Sequence, residues 1–223
     1  ILQRVASPET SAHVRALHQA HGVTILEDTG LDRLMSDTRV TAARLKDGRD
    51  LPADFVIVGV GITPNTQLAQ AAGLTLDNGI ATNAFGQTSD PAIWSAGDCA
   101  SFPHKGTRIR LESVGNAIDQ AEVVAANILG ANQPYEAKPW FWSDQFDLKL
   151  QIAGLNTGYD HIATRKGEGE AVSFWYYAGD RLLAVDAMND PRAYMVGKRL
   201  IEGGKSPSPD TIATAPDLKA LLK

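Results

Sequence analysis

The stretch "TSDPAIWSAGDCA", residues 88–100, decides how the chain reads. Thr88 to Pro91 has the composition of a turn, with Asp90-Pro91 stiffening its exit. Ala92 to Ala96 is a brief apolar run of the length of one buried strand. Gly97 then removes all side-chain bulk. Asp98 would place an acceptor-only carboxylate at the C-terminal end of that strand, the edge at which α/β sheets bind ligands. A carboxylate beside a glycine suits a polyol or a ribose, and a plain tight turn accounts for the same two residues.

Upstream, Ser7-Pro8-Glu9 has the form of a helix start, with Ser7 as N-cap and Pro8 at the first helical position. Val14, Leu17 and His21 follow at helical spacing, and Gly22 stops the helix. Val23 to Leu26 reads as a short strand. Asp47-Gly48 marks a hairpin between Val40–Leu45 and Leu51. Phe55 to Gly59, "FVIVG", predicts a strand buried on both faces. A Gly-rich turn, a cap at Asn65 or Thr66 and a short helix ending at Gly73 come next. A second hairpin-like pair surrounds Asp77-Asn78-Gly79.

Downstream, "SVGNAIDQAEVVAANILG" predicts a long helix closed by Gly130. Its apolar stripe is Val114, Ala117, Ile118, Ala121, Val124, Ala125 and Ile128. The linker "ANQPYEAKP" ends in a domain boundary near Lys138. Beyond it the texture changes to antiparallel strand signals. "FDLKLQIAGL" alternates, "AVSFWYYAGDRLLAVDAMN" reads as two strands around Ala178-Gly179-Asp180, and a helix is expected over Tyr194–Ile201.

Composition limits the function classes. A chain of 223 residues with 43% hydrophobic and 21% charged residues is that of a soluble globular protein of one or two domains. A formal net charge of −5 without basic runs argues against nucleic acid as a partner. No apolar stretch approaches a membrane span and no signal peptide is visible, so no membrane partner is expected and the cytoplasm is the expected location. The single Cys99 rules out an intrachain disulfide and a paired-cysteine zinc cluster.

Several motifs carry chemistry on one reading and plain structure on the other. "GVGITP" begins like a dinucleotide fingerprint at Gly59 and Gly61, but Pro64 stands where a third glycine belongs. It reads as a strand-to-helix turn rather than a phosphate cradle. Glu112 and Ser113 precede the long helix, whose free N–H groups could face an electron-rich ligand atom; an ordinary capped helix looks the same. His18 and His21 are spaced as metal ligands on a helix but lack a third partner, so no metal site is expected. Cys99 reads as a small buried thiol. Nothing resembles a nucleophile elbow or a catalytic triad. "KPWFWSDQFD" crowds Trp140, Phe141, Trp142 and Phe146 at the domain junction, either as core or as the wall of a flat cofactor.

Taken together, "ADFVIVGVGITPNTQLA", "DNGIATNAFGQTSDPAIWSAGDCA", "RLESVGNAIDQAEVVAANILG", "PWFWSDQFDLKLQIAGL" and "GDRLLAVDAMNDPRAY" resemble the flavoprotein ferredoxin reductases. These are FAD-dependent proteins of the pyridine nucleotide-disulfide oxidoreductase type that serve bacterial oxygenase and cytochrome P450 electron-transfer chains. The resemblance covers essentially the whole chain and matches the C-terminal part of the family. It implies α/β nucleotide-binding domains of the glutathione-reductase-like, two-dinucleotide-binding architecture, followed by an α+β C-terminal domain with an antiparallel sheet. The implied boundaries are 1–62 for the remainder of the NAD-binding domain, 63–138 for the second segment of the FAD-binding domain, and 139–223 for the C-terminal ferredoxin-reductase domain.

By the same resemblance Asp98, beside Gly97, accepts a hydrogen bond from the FAD ribitol chain. Glu112, Ser113 and Val114 sit at the isoalloxazine, Trp142 lies near the flavin, and Gly59 and Gly61 pass close to the nicotinamide. The implied reaction is hydride transfer from NADH to FAD, with NADPH not excluded, then single electrons to a small iron–sulfur ferredoxin. The flavin carries that chemistry, so no catalytic side chain is expected. Arg108, Arg110 and Lys149 are candidates for meeting an acidic ferredoxin.

The family's two upstream Gly-rich fingerprints are not in these residues. The chain is therefore expected to be a fragment, inactive in isolation, whose N-terminal half is a separate polypeptide or has been removed. The alternative is a non-catalytic truncated module for partner binding or self-association. A third reading is a relative acting on another acceptor, such as a rubredoxin or a nitrite-reducing partner.

Overall fold

The computed structural model describes residues 1–2 and 5–223, which divide into two compact units, Ile1–Thr63 and Pro64–Lys223. In the first unit, α1 (Pro8–Ala20) starts as expected, with Ser7 Oγ accepting from the Thr10 amide and Pro8 in the first turn. Val14 is its buried apolar anchor. An antiparallel sheet follows, made of β1 (Leu31–Ser36), β2 (Val40–Leu45) and β3 (Asp50–Pro52) in that order. Its second hairpin turns at the Asp47-Gly48 signal, and Arg44 pairs with Asp50 across it at 2.6 Å. The first strand carries no clean alternation and was not expected.

Two predicted strands of this unit do not form. Val23 to Leu26 is irregular, and Phe55 to Gly59 is irregular and open. Phe55 is 74% and Ile57 85% exposed. Apolar content alone does not make a strand, because a strand also needs a hydrogen-bonding neighbour. Among the described residues no strand pairs with this run.

The second unit opens with α2 (Gln67–Ala71) and a small sheet of β4 (Ile80–Ala81), β5 (Ala100–His104) and β6 (Thr107–Ile109). The first two strands run parallel and the last two antiparallel. The Asp77-Asn78-Gly79 turn closes with a single antiparallel bridge, Leu76 to Ile80. Ala92 to Ala96 is not the predicted strand; it holds one isolated bridge, Gln87 to Trp94. Ala96 is extended, and a single 3-10 turn over Gly97–Cys99 leads into β5. Asp98 therefore precedes a strand rather than ending one. The reversal follows from Gly97 at φ +77, which bends the chain before it can continue straight.

The long helix α3 (Val114–Ile128) forms where predicted, with Ser113 Oγ accepting from the Asn116 amide. Its buried face is not the predicted apolar stripe. Val114, Ile118 and Ile128 are more than half exposed, while Asn116, Gln120 and Asn127 are buried beside Val124. Each of those amides serves a loop that lacks ladder partners of its own. Asn127 donates to the Phe85 and Gln133 carbonyls and accepts from the Gln133 amide; Asn116 donates to the Leu111 carbonyl. Irregular backbone has to be satisfied by side chains, and amides do so with both a donor and an acceptor.

After the linker comes a five-stranded antiparallel sheet: β7 (Trp140–Gln145), β8 (Leu148–Gly154), β9 (His161–Lys166), β10 (Val172–Ala178) and β11 (Arg181–Met188), in spatial order β7-β8-β11-β10-β9. The hairpin at Gly179 is the one the sequence predicts. One face packs on α4 (Pro191–Glu202), α5 (Pro209–Thr214) and a final 3-10 turn over Leu218–Leu222. Trp175, Tyr177, Val185, Val196, Leu200 and Ile212 form its core.

Candidate functional site

Three segments of the second unit surround a pocket of about 800 Å³. The turn before β5 supplies Ala96, Gly97 and Asp98; the start of α3 supplies Glu112, Ser113, Val114, Ala117 and Ala121; the edge strand β7 supplies Phe141, Trp142, Ser143 and Asp144. That volume is within the range of sites for flat organic ligands. Six of the eight residues implied by the resemblance, Gly97, Asp98, Glu112, Ser113, Val114 and Trp142, thus lie around one cavity. The other two, Gly59 and Gly61, belong to the first unit, where both lie in irregular, exposed backbone.

Each wall is held by specific chemistry. Gln120, on the buried amide face of α3, accepts from the Gly97 amide at 2.8 Å and pins the turn to the helix. Ser113 caps α3, so the first helical N–H groups, which have no intrahelical acceptor, open toward the pocket end of the helix. From the apolar stripe of α3, Val114, Ala117 and Ala121 line the cavity.

The aromatic wall is a stack. Trp142 lies on Trp140 with centroids 5.2 Å apart and planes 22° apart. Trp140 in turn presses on Gly115 of α3, where an added Cβ would come 2.2 Å from its indole nitrogen. Lys198 of α4 places its ammonium over the Trp140 ring, 5.5 Å from the ring centre. Tyr135 ties the linker to the first turn of α3, its hydroxyl donating to Asn116 Oδ1 at 3.0 Å. Burial, helped by Asp119, pushes its phenol up to about 12.

The lining carries three carboxylates, Asp98, Glu112 and Asp144, and no cation. Such a lining repels phosphate groups and accepts hydroxyls and ring N–H donors beside a flat apolar surface. The residues present thus fit the ring and polyol end of a flavin, not its pyrophosphate.

The basic candidates separate. Arg110 is an internal group, 6% exposed and paired with Glu112 at 2.7 Å, which removes it from any docking surface. Arg108 reaches inward to the Thr82 and Ser101 carbonyls. Arg108 and Lys149 are both exposed, and Arg108 also meets Asp77 at 3.6 Å. Cys99 is half-buried, its thiol 3.6 Å from Ser95 Oγ and from the Ala96 carbonyl. No cluster of metal-binding side chains occurs among the described residues, and no helix among them is long and apolar enough to cross a membrane.

Residues 1–121 match the family model of pyridine nucleotide-disulphide oxidoreductases, and residues 140–222 match the reductase C-terminal model. Putidaredoxin reductase of Pseudomonas putida is 44% identical over 207 residues, covering 90% of this chain and 49% of its own. Rhodocoxin reductase of Rhodococcus erythropolis is 37% identical over 226 residues, covering 99% of this chain and 53% of its own. The chain thus spans about half the length of these relatives. The ferredoxin reductase for the CYP199A2 system of Rhodopseudomonas palustris superposes with a TM-score of 0.96 at 38% identity, over 100% of this chain and 56% of that one. The reductase in the covalent putidaredoxin reductase–putidaredoxin complex gives 0.94 at 41% identity, over 100% and 55% respectively. Matched over more than half its length, and with the reductase C-terminal domain following in order, this chain belongs to the pyridine nucleotide-disulphide oxidoreductase family and is homologous to its ferredoxin reductases.

Proposed function

We propose that these residues work as the C-terminal part of an FAD-dependent ferredoxin reductase, which passes electrons from NADH to a small iron–sulfur ferredoxin of an oxygenase or cytochrome P450 system. The observation that carries this reading is the pocket itself: Gly97–Asp98, Glu112–Val114 and Trp142, separated along the chain, line one cavity suited to a flavin ring. When bound, the flavin accepts a hydride and releases electrons one at a time. The protein's part is to hold it. Asp98 accepts from the polyol chain, the α3 N-terminus faces the electron-rich end of the ring, and Trp142 covers a face.

In this reading residues 1–62 serve the NAD domain, with Gly59 and Gly61 near the nicotinamide, residues 63–138 complete the FAD domain, and residues 139–223 form the C-terminal domain. The Gly-rich fingerprints for both pyrophosphates come from sequence outside these 223 residues, on the same or a separate polypeptide. The 223 residues by themselves do not turn over.

The test is a hybrid in which this chain replaces the matching segment of putidaredoxin reductase. With FAD and NADH, the hybrid should reduce an iron–sulfur ferredoxin and the isolated chain should not. A folded hybrid that fails to reduce ferredoxin while the parent reductase succeeds would contradict the proposal.

A further inference from the structure

Behind the pocket wall, Arg110 grips two of its three segments. One guanidinium nitrogen donates to the Asp98 carbonyl at 2.9 Å and the other meets Glu112 Oε1 at 2.7 Å. The side chain is 6% exposed, and its Nε is buried with no acceptor. Its stem crosses Gly79, where an added Cβ would come 2.9 Å from Arg110 Cδ and φ is +135. The fold thus clears a path for a buried cation. Desolvating a guanidinium is costly, and a pair formed at the surface would avoid that cost. Among the described residues this is the one ion pair that includes a pocket carboxylate; Asp98 and Asp144 have none.

We propose that Arg110 is a positioning residue for the flavin, an inference that rests on the function proposed above. Its planar fork reaches the turn bearing Asp98 and the residue preceding the α3 cap at once, fixing the spacing between them. Its charge also offsets a lining that is otherwise wholly acidic. A flavin gains negative charge on reduction, so the balance between Arg110 and Glu112 sets how readily the bound ring is reduced.

The experiment uses the flavin-loaded hybrid, with FAD affinity and midpoint potential as readouts. R110M should weaken FAD binding roughly tenfold or more and shift the potential negative. R110K should recover the potential but not the affinity, because an ammonium cannot bridge both partners. E112Q should shift the potential positive, and R110M/E112Q should return it toward the parent. Should R110M not fold, R110K and E112Q carry the test. Unchanged affinity in R110K together with an unmoved potential in E112Q would overturn the role of Arg110. A colourless unsubstituted hybrid would instead overturn the flavin reading on which it rests.

Discussion

The Gly97 amide donates to Gln120 Oε1 at 2.8 Å, joining the turn that carries Asp98 to the middle of α3, 23 positions on. Gln120 is 1% exposed, so this bond is made out of water and fixes where the Asp98 turn stands relative to the helix.

Gln120→Ala should therefore leave the Gly97 N–H buried and unpaired, at a cost of about 1–3 kcal/mol. Thermal or urea unfolding measures it. Loss of flavin from the hybrid should exceed what the stability change alone produces, since the turn bearing Asp98 is set free.

Gly115→Ala probes the aromatic wall. The new methyl would collide with the Trp140 indole, which supports Trp142 by stacking. Overpacking of this kind costs about 1–3 kcal/mol. Tryptophan fluorescence and near-ultraviolet circular dichroism should change with it, because both rings must move.

Leu200→Ala tests the other layer. Leu200 is fully buried between α4 and the five-stranded sheet, and the cavity should cost about 2–5 kcal/mol. Because Leu200 lies away from the pocket lining, FAD affinity of the surviving folded hybrid should stay at the parent level.

How much of this was legible beforehand depends on what each residue needs as a partner. The α1 start at Ser7-Pro8, the Asp47-Gly48 hairpin, the Ser113 cap and the β10–β11 hairpin are local devices, and the sequence shows them directly. The apolar run Phe55–Gly59 needs a neighbouring strand, which local composition does not supply. The face of α3 was misread for a related reason. Periodicity assigns Val114 and Ile118 to the core, whereas the burial of Asn116, Gln120 and Asn127 answers to loops far along the chain. Three amides recurring along an apolar helix were the signal for a helix bracing irregular backbone. Arg110 gave no such signal, since a buried cation and a surface one look alike in sequence.

A pH dependence follows from two phenols. Burial, reinforced by Asp119, holds Tyr135 up at about 12, and burial alone does the same for Tyr177. An unfolded tyrosine titrates near 10, so the folded state keeps the proton longer. This stabilising contribution is fully present below pH about 10 and is lost as the pH rises through about 12. The thermal midpoint should fall across that window, and Tyr135→Phe should flatten the fall.

The most direct test of the account is the visible absorption spectrum of the hybrid after gel filtration, compared with the same hybrid carrying Val114→Asp. A flavin band that elutes with the parent and is lost from the folded variant is the predicted result, because a fourth carboxylate would then face the ring. A folded parent hybrid that elutes colourless, or a variant that keeps its flavin undiminished, would contradict the claim that this pocket holds the flavin.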